Sequence, residues 1–172
     1  IKTKGGFEYG NELVSFLKKN FSFCIGAACY PEGHIECKDL DKDIENLKRK
    51  VDSGVDFLVT QLFFDNQNYF KFLDRAQAAK INIPIIPGIM PILNLKQMQR
   101  FTRMCGATLT PSLLSKFKGV ENDNEKAREI GISHAIEQCR ELLKYKVPGI
   151  HFYTLNRSKA TLNILDALRD FK

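Results

Sequence analysis

Short apolar segments alternate with helical segments four times along this chain, and no other feature restricts its fold as strongly. The apolar segments cover residues 21–29, 57–62, 83–87 and 150–155, and each precedes a stretch whose apolar residues recur at helical spacing. Strands that alternate with helices predict a parallel sheet covered by helices. Strands of parallel sheets are short and apolar because both their faces are buried. The predicted fold class is therefore α/β.

Helices are predicted on both sides of each apolar segment. Their predicted ranges are residues 9–19, 39–52, 66–80, 95–104, a short stretch after Pro111, 122–146 and a last helix through Leu168. Asp39 and Asp41 are both candidate N-caps of the second helix, and Thr110 and Ser158 are the expected N-caps of two later ones, since their side-chain oxygens can accept from free helical N–H groups. Residues 88–93 lie between two prolines and are predicted to be an irregular loop.

Polar and aromatic residues follow the carboxyl end of each predicted strand. Convergence of such residues is expected on the carboxyl face of a (β/α)8 barrel, and a doubly wound sheet also gathers its loops there. No Gly-x-Gly-x-x-Gly fingerprint follows a strand, which weakens the second alternative. The converging residues are Tyr30, His34, Gln61, Gly88, Gln97, Tyr153, Asn156 and Arg157.

Four strand–helix units make half of a (β/α)8 barrel. An open four-stranded sheet of this type leaves two strand edges exposed, which is a poor arrangement in isolation. We therefore expect a single partial domain over residues 1–172. About four upstream strands of a longer parent protein, or another chain, would complete it. A start at Ile1 without an initiator methionine fits a fragment.

Composition excludes several classes of protein. The net charge is +6, but basic residues are mixed with acidic ones and form no stripe, so nucleic acid is not the expected partner. No apolar run approaches the roughly 18 residues of a membrane span. Five cysteines without a Cys-x-x-Cys motif indicate reduced, structural thiols and a cytoplasmic protein. The three histidines are scattered, so we expect no metal site.

Five blocks of sequence carry a resemblance to a known family. They are residues 28–34 (ACYPEGH), 46–54 (NLKRKVDSG), 60–65 (TQLFFD), 85–91 (IIPGIMP) and 151–157 (HFYTLNR). With these blocks in this order, the chain resembles the catalytic domain of methylenetetrahydrofolate reductase, a flavoprotein of one-carbon metabolism. That family folds as a (β/α)8 TIM barrel, and the resemblance implies that this chain is its second half, strands five to eight.

The resemblance also implies an FAD site. In the predicted site, Arg49 and Lys50 would neutralise the diphosphate, the first as a fork and the second as a point charge. Tyr30 and His34 offer aromatic surface and hydrogen bonds, and an acid and an amide suit hydroxyl groups. The residues that match the family's FAD contacts are Tyr9, Gly10, Tyr30, His34, Asp43, Asn46, Arg49 and Lys50.

A substrate site is implied by five further matches. Gln61 matches a family glutamine that contacts the folate and the nicotinamide donor, which take turns at the flavin. Phe101 offers a stacking face, and Arg157 a cation for the folate carboxylates. The implied substrate-binding residues are Gln61, Gln97, Phe101, Tyr153 and Arg157.

The implied activity is the FAD-dependent reduction of 5,10-methylenetetrahydrofolate by NAD(P)H, with ping-pong kinetics and a product that feeds methionine synthesis. The family's general acid, a glutamate on the first strand, and its aspartate after the fourth strand have no counterparts here. We therefore assign no catalytic residue to this chain and expect it to lack normal turnover alone. In the cell we expect the missing amino-terminal half as partner, and a homo-oligomer.

Three alternatives stay open. One is a barrel enzyme that uses a phosphate-bearing ligand without flavin. A second is a non-catalytic half-barrel that acts as an assembly or regulatory module. The third, a basic nucleic-acid binder, would show steeply salt-dependent binding.

Overall fold

Helices and short strands alternate along residues 5–169 and 171, which are the residues that the computed structural model describes. The predicted domain over residues 1–172 also includes residues 1–4, 170 and 172, which lie outside them. The strands are β1 (Gly26–Cys29), β2 (Phe57–Thr60), β3 (Ile85–Ile86), β4 (Gly88–Ile89) and β5 (His151–Phe152). The helices are α1 (Gly10–Asn20), α2 (Leu40–Asp52), α3 (Asn66–Ala78), α4 (Leu95–Cys105), α5 (Pro111–Lys116), α6 (Asn124–Lys144) and α7 (Ser158–Leu168).

All strand pairs are parallel. Strands β1, β2 and β3 form one sheet in that order, and β4 pairs with β5 in a second. Only Pro87 separates β3 from β4, and proline has no N–H to donate to a ladder. The segment of β3 and β4 is thus one extended stretch interrupted at Pro87, with β2 paired to its first part and β5 to its second. The prediction of an α/β fold with parallel strands is confirmed.

Several predicted boundaries were wrong. Residues 88–93 were predicted to be irregular, yet Gly88 and Ile89 form β4, in register with His151 and Phe152. Residues 21–25 were predicted to belong to the first strand, but β1 begins only at Gly26. The fourth predicted strand, residues 150–155, contributes two residues to β5. Each of these ends depends on a partner strand distant in sequence, which the local pattern does not encode.

Side-chain caps fix where most helices begin. Asp39 accepts from the N–H groups of Asp41 and Lys42, and Thr110 accepts from the N–H of Leu113, so these two predicted caps are confirmed. Asp41, the other candidate for α2, lies inside the helix and is not its cap. Ser158 was wrongly predicted to be a cap: it is the first residue of α7, and Arg157 occupies the cap position without a side-chain bond.

The buried core has two parts. One cluster packs between the sheets and helices α1, α2, α3 and α6, around residues such as Leu58, Tyr69 and Leu142. The other lies beneath α4 and α5 and is centred on Phe117 and Ile92. At Gly131 of α6 the second part is packed backbone to backbone, because an added Cβ would lie 2.6 Å from the carbonyl carbon of Ile92.

The cysteines are all free, but only two of the five are buried. Burial raises the pKa of the Cys139 thiol to about 12 and raises that of Cys29 further. Cys24 is exposed, which departs from the structural role expected of the cysteines. Among the described residues, no helix is both long and apolar enough to cross a membrane. Within the same residues, no three His, Cys, Asp or Glu side chains form a group that could hold a metal ion.

Candidate functional site

A cleft of about 650 Å³ lies between the start of α1, the loop after β1 and one face of α2. All eight residues that were predicted to bind a cofactor line this cleft. They come from three separate segments of the chain, residues 9–10, 30–34 and 43–50, and only the fold brings them together. The eight are Tyr9, Gly10, Tyr30, His34, Asp43, Asn46, Arg49 and Lys50.

Helix α2 supplies the polar wall of the cleft. Asn46 and Arg49 lie one turn apart on it, and the guanidinium of Arg49 donates to the amide oxygen of Asn46. The Lys50 ammonium donates to the carbonyl oxygen of Ala28 at 2.7 Å, across the end of β1. These bonds hold both cations against the cleft rather than leaving them free in solvent.

The loop after β1 forms the opposite wall. Gly33 has a φ of 91°, a left-handed conformation that favours glycine, so the chain can turn sharply there. Two contacts from distant elements hold this loop: Arg75 donates to the carbonyl of Pro31 at 2.8 Å, and the N–H of Thr108 donates to Glu32 at 3.1 Å. The ring of Tyr30 meets that of His34 edge to face, with centroids 4.6 Å apart.

His34 and Asp43 are linked across the cleft. The backbone N–H of His34 donates to the Asp43 carboxylate at 3.3 Å. The His34 Nδ1 atom accepts from the N–H of Glu36, which assigns the ring proton to Nε2. Nε2 is therefore the ring's donor.

Burial changes the ionisation of two groups in the cleft. It raises the pKa of Asp43 above its usual value, although the His34 N–H and the charges of Lys50 and Arg75 oppose the change. Burial also lowers the pKa of Lys50, while the charge of Asp43 acts in the opposite direction. Both groups are thus held with less water than they would have on an open surface, which strengthens the attraction of the Lys50 ammonium for an anionic ligand.

A second, smaller pocket of about 120 Å³ lies between α4 and the segment after β5. Four of the five predicted substrate-binding residues line it. Gln97 and Phe101 are one turn apart on α4, and Tyr153 and Arg157 come from the end of β5 and the start of α7. The pocket combines an aromatic face, an amide and a cation.

Gln61 does not line that pocket. It follows β2 directly, and its side-chain oxygen accepts from the N–H of Leu62 at 2.9 Å. It lies in a narrow crevice with Tyr30 on one side and, on the other, Gly106 and Ala107, which directly follow α4. Gln61 therefore sits between the large cleft and α4.

Three residues join the ends of three strands through bonds that the sequence did not predict, although Gly88 and Tyr153 were among the expected converging residues. Thr60 is fully buried, and its hydroxyl accepts from the N–H of Gly88 at 2.8 Å. The hydroxyl of Tyr153 donates to the carbonyl of Thr60 at 2.8 Å, and its ring covers Gly88 so closely that an added Cβ would lie 2.6 Å from it. The predicted ligand residue Tyr153 thus also ties β2, β4 and β5 together, beside Gln61.

Sequence reasoning also missed several cleft residues. Lys42 could have been found from spacing, because it precedes Asn46 and Arg49 by four and seven residues on the same helix. Leu47, also on α2, follows Asp43 by four residues and could have been found in the same way. The others, Asn11, Glu36 and Cys37, carry no local signal, since they reach the cleft only through the turns of the loop and α1.

Comparison of the chain with known proteins shows the protein family in which these two pockets occur. The family model described as methylenetetrahydrofolate reductase matches residues 1–169. The chain is 40% identical over 167 residues to methylenetetrahydrofolate reductase 1 of Schizosaccharomyces pombe, covering 96% of this chain and 28% of that protein. It is 39% identical over 160 residues to 5,10-methylenetetrahydrofolate reductase of Escherichia coli, covering 93% of this chain and 54% of that protein.

A solved structure shares the fold at lower sequence identity. It is an uncharacterized protein from Clostridium thermocellum that binds two copies of 5-methyl-5,6,7,8-tetrahydrofolic acid. The likeness has a TM-score of 0.62 at 17% identity and covers 89% of this chain and 56% of that one. The chain thus spans about half the length of its bacterial relative and of this neighbour. Because the family model matches nearly every residue, the chain belongs to the methylenetetrahydrofolate reductase family.

Proposed function

We propose that this chain is the second half of the catalytic (β/α)8 barrel of an FAD-dependent methylenetetrahydrofolate reductase, and that it supplies most of the FAD site and part of the folate site. The observation that carries the proposal is the large cleft, which gathers all eight predicted cofactor residues from three segments. Membership of the family adds the reaction, the reduction of 5,10-methylenetetrahydrofolate to 5-methyltetrahydrofolate.

The residues of the cleft fit FAD in both size and chemistry. A volume of about 650 Å³ lies within the range of cofactor sites, roughly 300–1,000 Å³. Arg49 and Lys50, already held by Asn46 and Ala28, would bind the diphosphate without much ordering cost. Asp43 would accept from ligand hydroxyls, and the aromatic faces of Tyr30 and Tyr9 would cover apolar parts of the ligand. FAD, when bound, would supply the hydride chemistry.

The second pocket, at about 120 Å³, would form part of the site that holds the folate and, in turn, the nicotinamide of NAD(P)H. Phe101 offers a face for an aromatic ring, and Gln97 an amide that both donates and accepts. Arg157 is exposed at the mouth, where a guanidinium can pair with a carboxylate of the folate tail. Because two ligands that share one pocket cannot bind at the same time, the first must leave before the second binds, which gives ping-pong kinetics.

No residue of either pocket is assigned as the general acid. The carboxylates in the large cleft are those of Glu36 and Asp43, which line it together with the lysine and arginine side chains of α2. In this position they are suited to accept hydrogen bonds from ligand hydroxyl groups and to pair with lysines. Protonation of the folate requires an acid placed beside the reacting nitrogen. We assign that acid to the part of the enzyme that this chain does not contain, and we expect the 172-residue chain alone to lack turnover.

FAD binding to the purified chain tests the proposal, followed by quenching of flavin fluorescence. We expect saturable binding, weakened roughly tenfold or more by Arg49→Gln and by Lys50→Met, because each removes a charge-assisted hydrogen bond worth about 1.5–3 kcal/mol. Lys48→Met is the matched control. It lies on the same helix but pairs with Asp52 and does not line the cleft.

Either of two results would contradict the proposed FAD site. One is the absence of saturable binding at FAD concentrations well above those that fill flavoenzymes. The other is an equal loss of affinity in Lys48→Met and in the two cleft variants, which would indicate non-specific attraction of a phosphate to a basic helix.

A further inference from the structure

Glu32 stands between two of the predicted cofactor residues but does not itself line their cleft. It is half-buried in the loop after β1, with Tyr30 and His34 two positions to either side. Its carboxylate accepts from the backbone N–H of Thr108 at 3.1 Å, across a separation of 76 residues. The side chain of Glu32 thus bonds to the connection between α4 and α5 rather than facing a ligand in the cleft.

The same connection packs along the loop after β1 beyond this hydrogen bond. A Cβ added at Gly106, directly after α4, would lie 3.9 Å from the carbonyl oxygen of Gly33 and 3.9 Å from the Cβ of Ile35. The crevice between the two segments, where Gln61 lies, holds only about 10 Å³ of free space, room for at most one water molecule. The two segments are therefore in contact, and Glu32 supplies a hydrogen bond between them.

Two other bonds hold the ends of the loop. Arg75 of α3 donates to the carbonyl of Pro31 at 2.8 Å, and the N–H of His34 donates to Asp43 of α2 at 3.3 Å. The turn between them contains Gly33, whose left-handed backbone gives it more conformational freedom than other residues have. A bond from Glu32 therefore restrains the part of the loop that its own sequence restrains least.

We infer that Glu32 is a positioning residue, which holds the loop after β1 against the α4–α5 connection so that Tyr30 and His34 face the large cleft before a ligand arrives. The inference rests on the proposed function of that cleft. Side chains that are already ordered cost a ligand less entropy on binding than side chains that the ligand must order. Loss of the Glu32 contact should therefore weaken cofactor binding without removing any group that touches the cofactor.

Charge alone predicts the opposite effect. FAD carries a negative diphosphate, so removal of a nearby carboxylate should strengthen its binding if Glu32 acted only through its electric field. Positioning predicts that Glu32→Ala weakens binding. It also predicts that Glu32→Gln, which keeps an acceptor oxygen for the N–H of Thr108, retains most of the affinity. The two explanations therefore differ in the direction of the effect.

The FAD affinity of the purified chain, followed by flavin fluorescence, measures this effect. Glu32→Ala should bind FAD roughly tenfold more weakly, because two side chains must then be ordered on binding. Glu32→Gln should stay within about threefold of the unsubstituted chain, since a neutral hydrogen bond is roughly half as strong as a charge-assisted one. Glu129→Ala is the matched control: it removes an exposed carboxylate of α6 that lines neither pocket nor the crevice, and it should leave FAD affinity unchanged.

Inorganic pyrophosphate shows which part of the cleft has changed, because it needs only the cations of α2. Arg49 and Lys50 are held by Asn46 and Ala28, which lie outside the loop after β1. Competition of pyrophosphate with FAD should therefore give the same inhibition constant in Glu32→Ala as in the unsubstituted chain. Arg49→Gln should weaken the binding of pyrophosphate and FAD together.

Hydrogen exchange of the ligand-free chain tests the contact itself. In Glu32→Ala the amide of Thr108 should exchange faster, and so should that of Gly33, which donates to the carbonyl of Tyr30 at 3.1 Å. Both amides should remain protected in Glu32→Gln. The amide of Leu58, in the core strand β2, reports global stability and should exchange at the same rate in each variant.

Several results would overturn the inference. These are an FAD affinity that is unchanged or stronger in Glu32→Ala, an equal loss in Glu32→Ala and Glu32→Gln, and exchange at Gly33 that does not respond to Glu32→Ala. Faster exchange at Leu58 would also count against it, because the loss of affinity would then follow from general destabilisation. Absence of FAD binding in the unsubstituted chain would contradict the proposed function instead, and the exchange of Gly33 would still support or refute the hold of Glu32 on the loop.

Discussion

Replacing Gly131 with alanine should destabilise the protein, although helix propensity alone predicts the opposite. Gly131 lies inside α6, where alanine is normally favoured over glycine by up to about 1 kcal/mol. In the structure, however, a Cβ at this position would lie 2.6 Å from the carbonyl carbon and 2.8 Å from the Cβ of Ile92, and closer still to the carbonyl oxygen. A backbone carbonyl cannot rotate away as a side chain does, so α6 and the segment of Ile92 must move apart.

The size of the effect follows from these opposing terms. Overpacking an interior costs about 1–3 kcal/mol, and the upper end applies when backbone must shift. After subtraction of the gain in helix propensity, we expect a net loss of roughly 2 kcal/mol. For a chain of this length, such a loss lowers the melting temperature by about 4–8 °C. The segment after β4 also lines the second pocket with Met90, Pro91 and Leu93, so the folate binding proposed for that pocket should weaken as well.

Urea unfolding followed by circular dichroism tests this prediction. The midpoint should fall with an unchanged slope, since the surface exposed on unfolding stays the same. Gly149→Ala is the matched control: no atom lies within 4 Å of its added Cβ, and it should change stability by between zero and a gain of about 1 kcal/mol. A Gly131→Ala variant as stable as the control would refute the argument from close packing.

Two further substitutions address the sites. Asp43→Asn should stabilise the protein at pH 7 and weaken the proposed binding of FAD. Burial raises the pKa of Asp43 in the folded state, so ionisation of this carboxyl lowers the stability of the protein above that pKa. Below the unfolded pKa of about 3.9 the carboxyl is protonated in both states and the destabilisation is absent. A stability gain in urea titrations that persisted at pH 3.5 would contradict this. Thr60→Val removes the hydroxyl that accepts from the Gly88 amide, so it should lower the free energy of unfolding by about 1–3 kcal/mol and speed hydrogen exchange of that amide. Thr60→Ser keeps a hydroxyl and should keep the Gly88 amide protected from exchange. Equal exchange at Gly88 in both variants would argue against the role given to the Thr60 hydroxyl.

The sequence alone predicted the features that depend on local spacing. The alternation of strands and helices predicted the parallel α/β fold, and short polar residues such as Asp39 and Thr110 predicted where helices begin. The predicted helix over residues 39–52 likewise placed Asn46, Arg49 and Lys50 together on one helix, which α2 confirms. These predictions succeed because caps and periodicity involve residues within two turns of each other.

Strand ends and the positions of the ligand residues were decided by tertiary structure. The apolar run 21–29 looks uniform, yet only Gly26–Cys29 pairs with β2, and Phe21 and Phe23 remain exposed. Gln61 was grouped with Gln97 from the resemblance, but its side chain bonds to the backbone of Leu62 and lies outside the pocket of Gln97.

The bonds that join Thr60, Gly88 and Tyr153 span up to 93 residues, and the approach of Gly131 to Ile92 joins α6 to the segment after β4. No local pattern reports such contacts, because each depends on which surfaces meet once the whole chain has packed. Local periodicity therefore determined the kinds and order of the elements. Long-range packing determined where the strands stop and which side chains face each pocket.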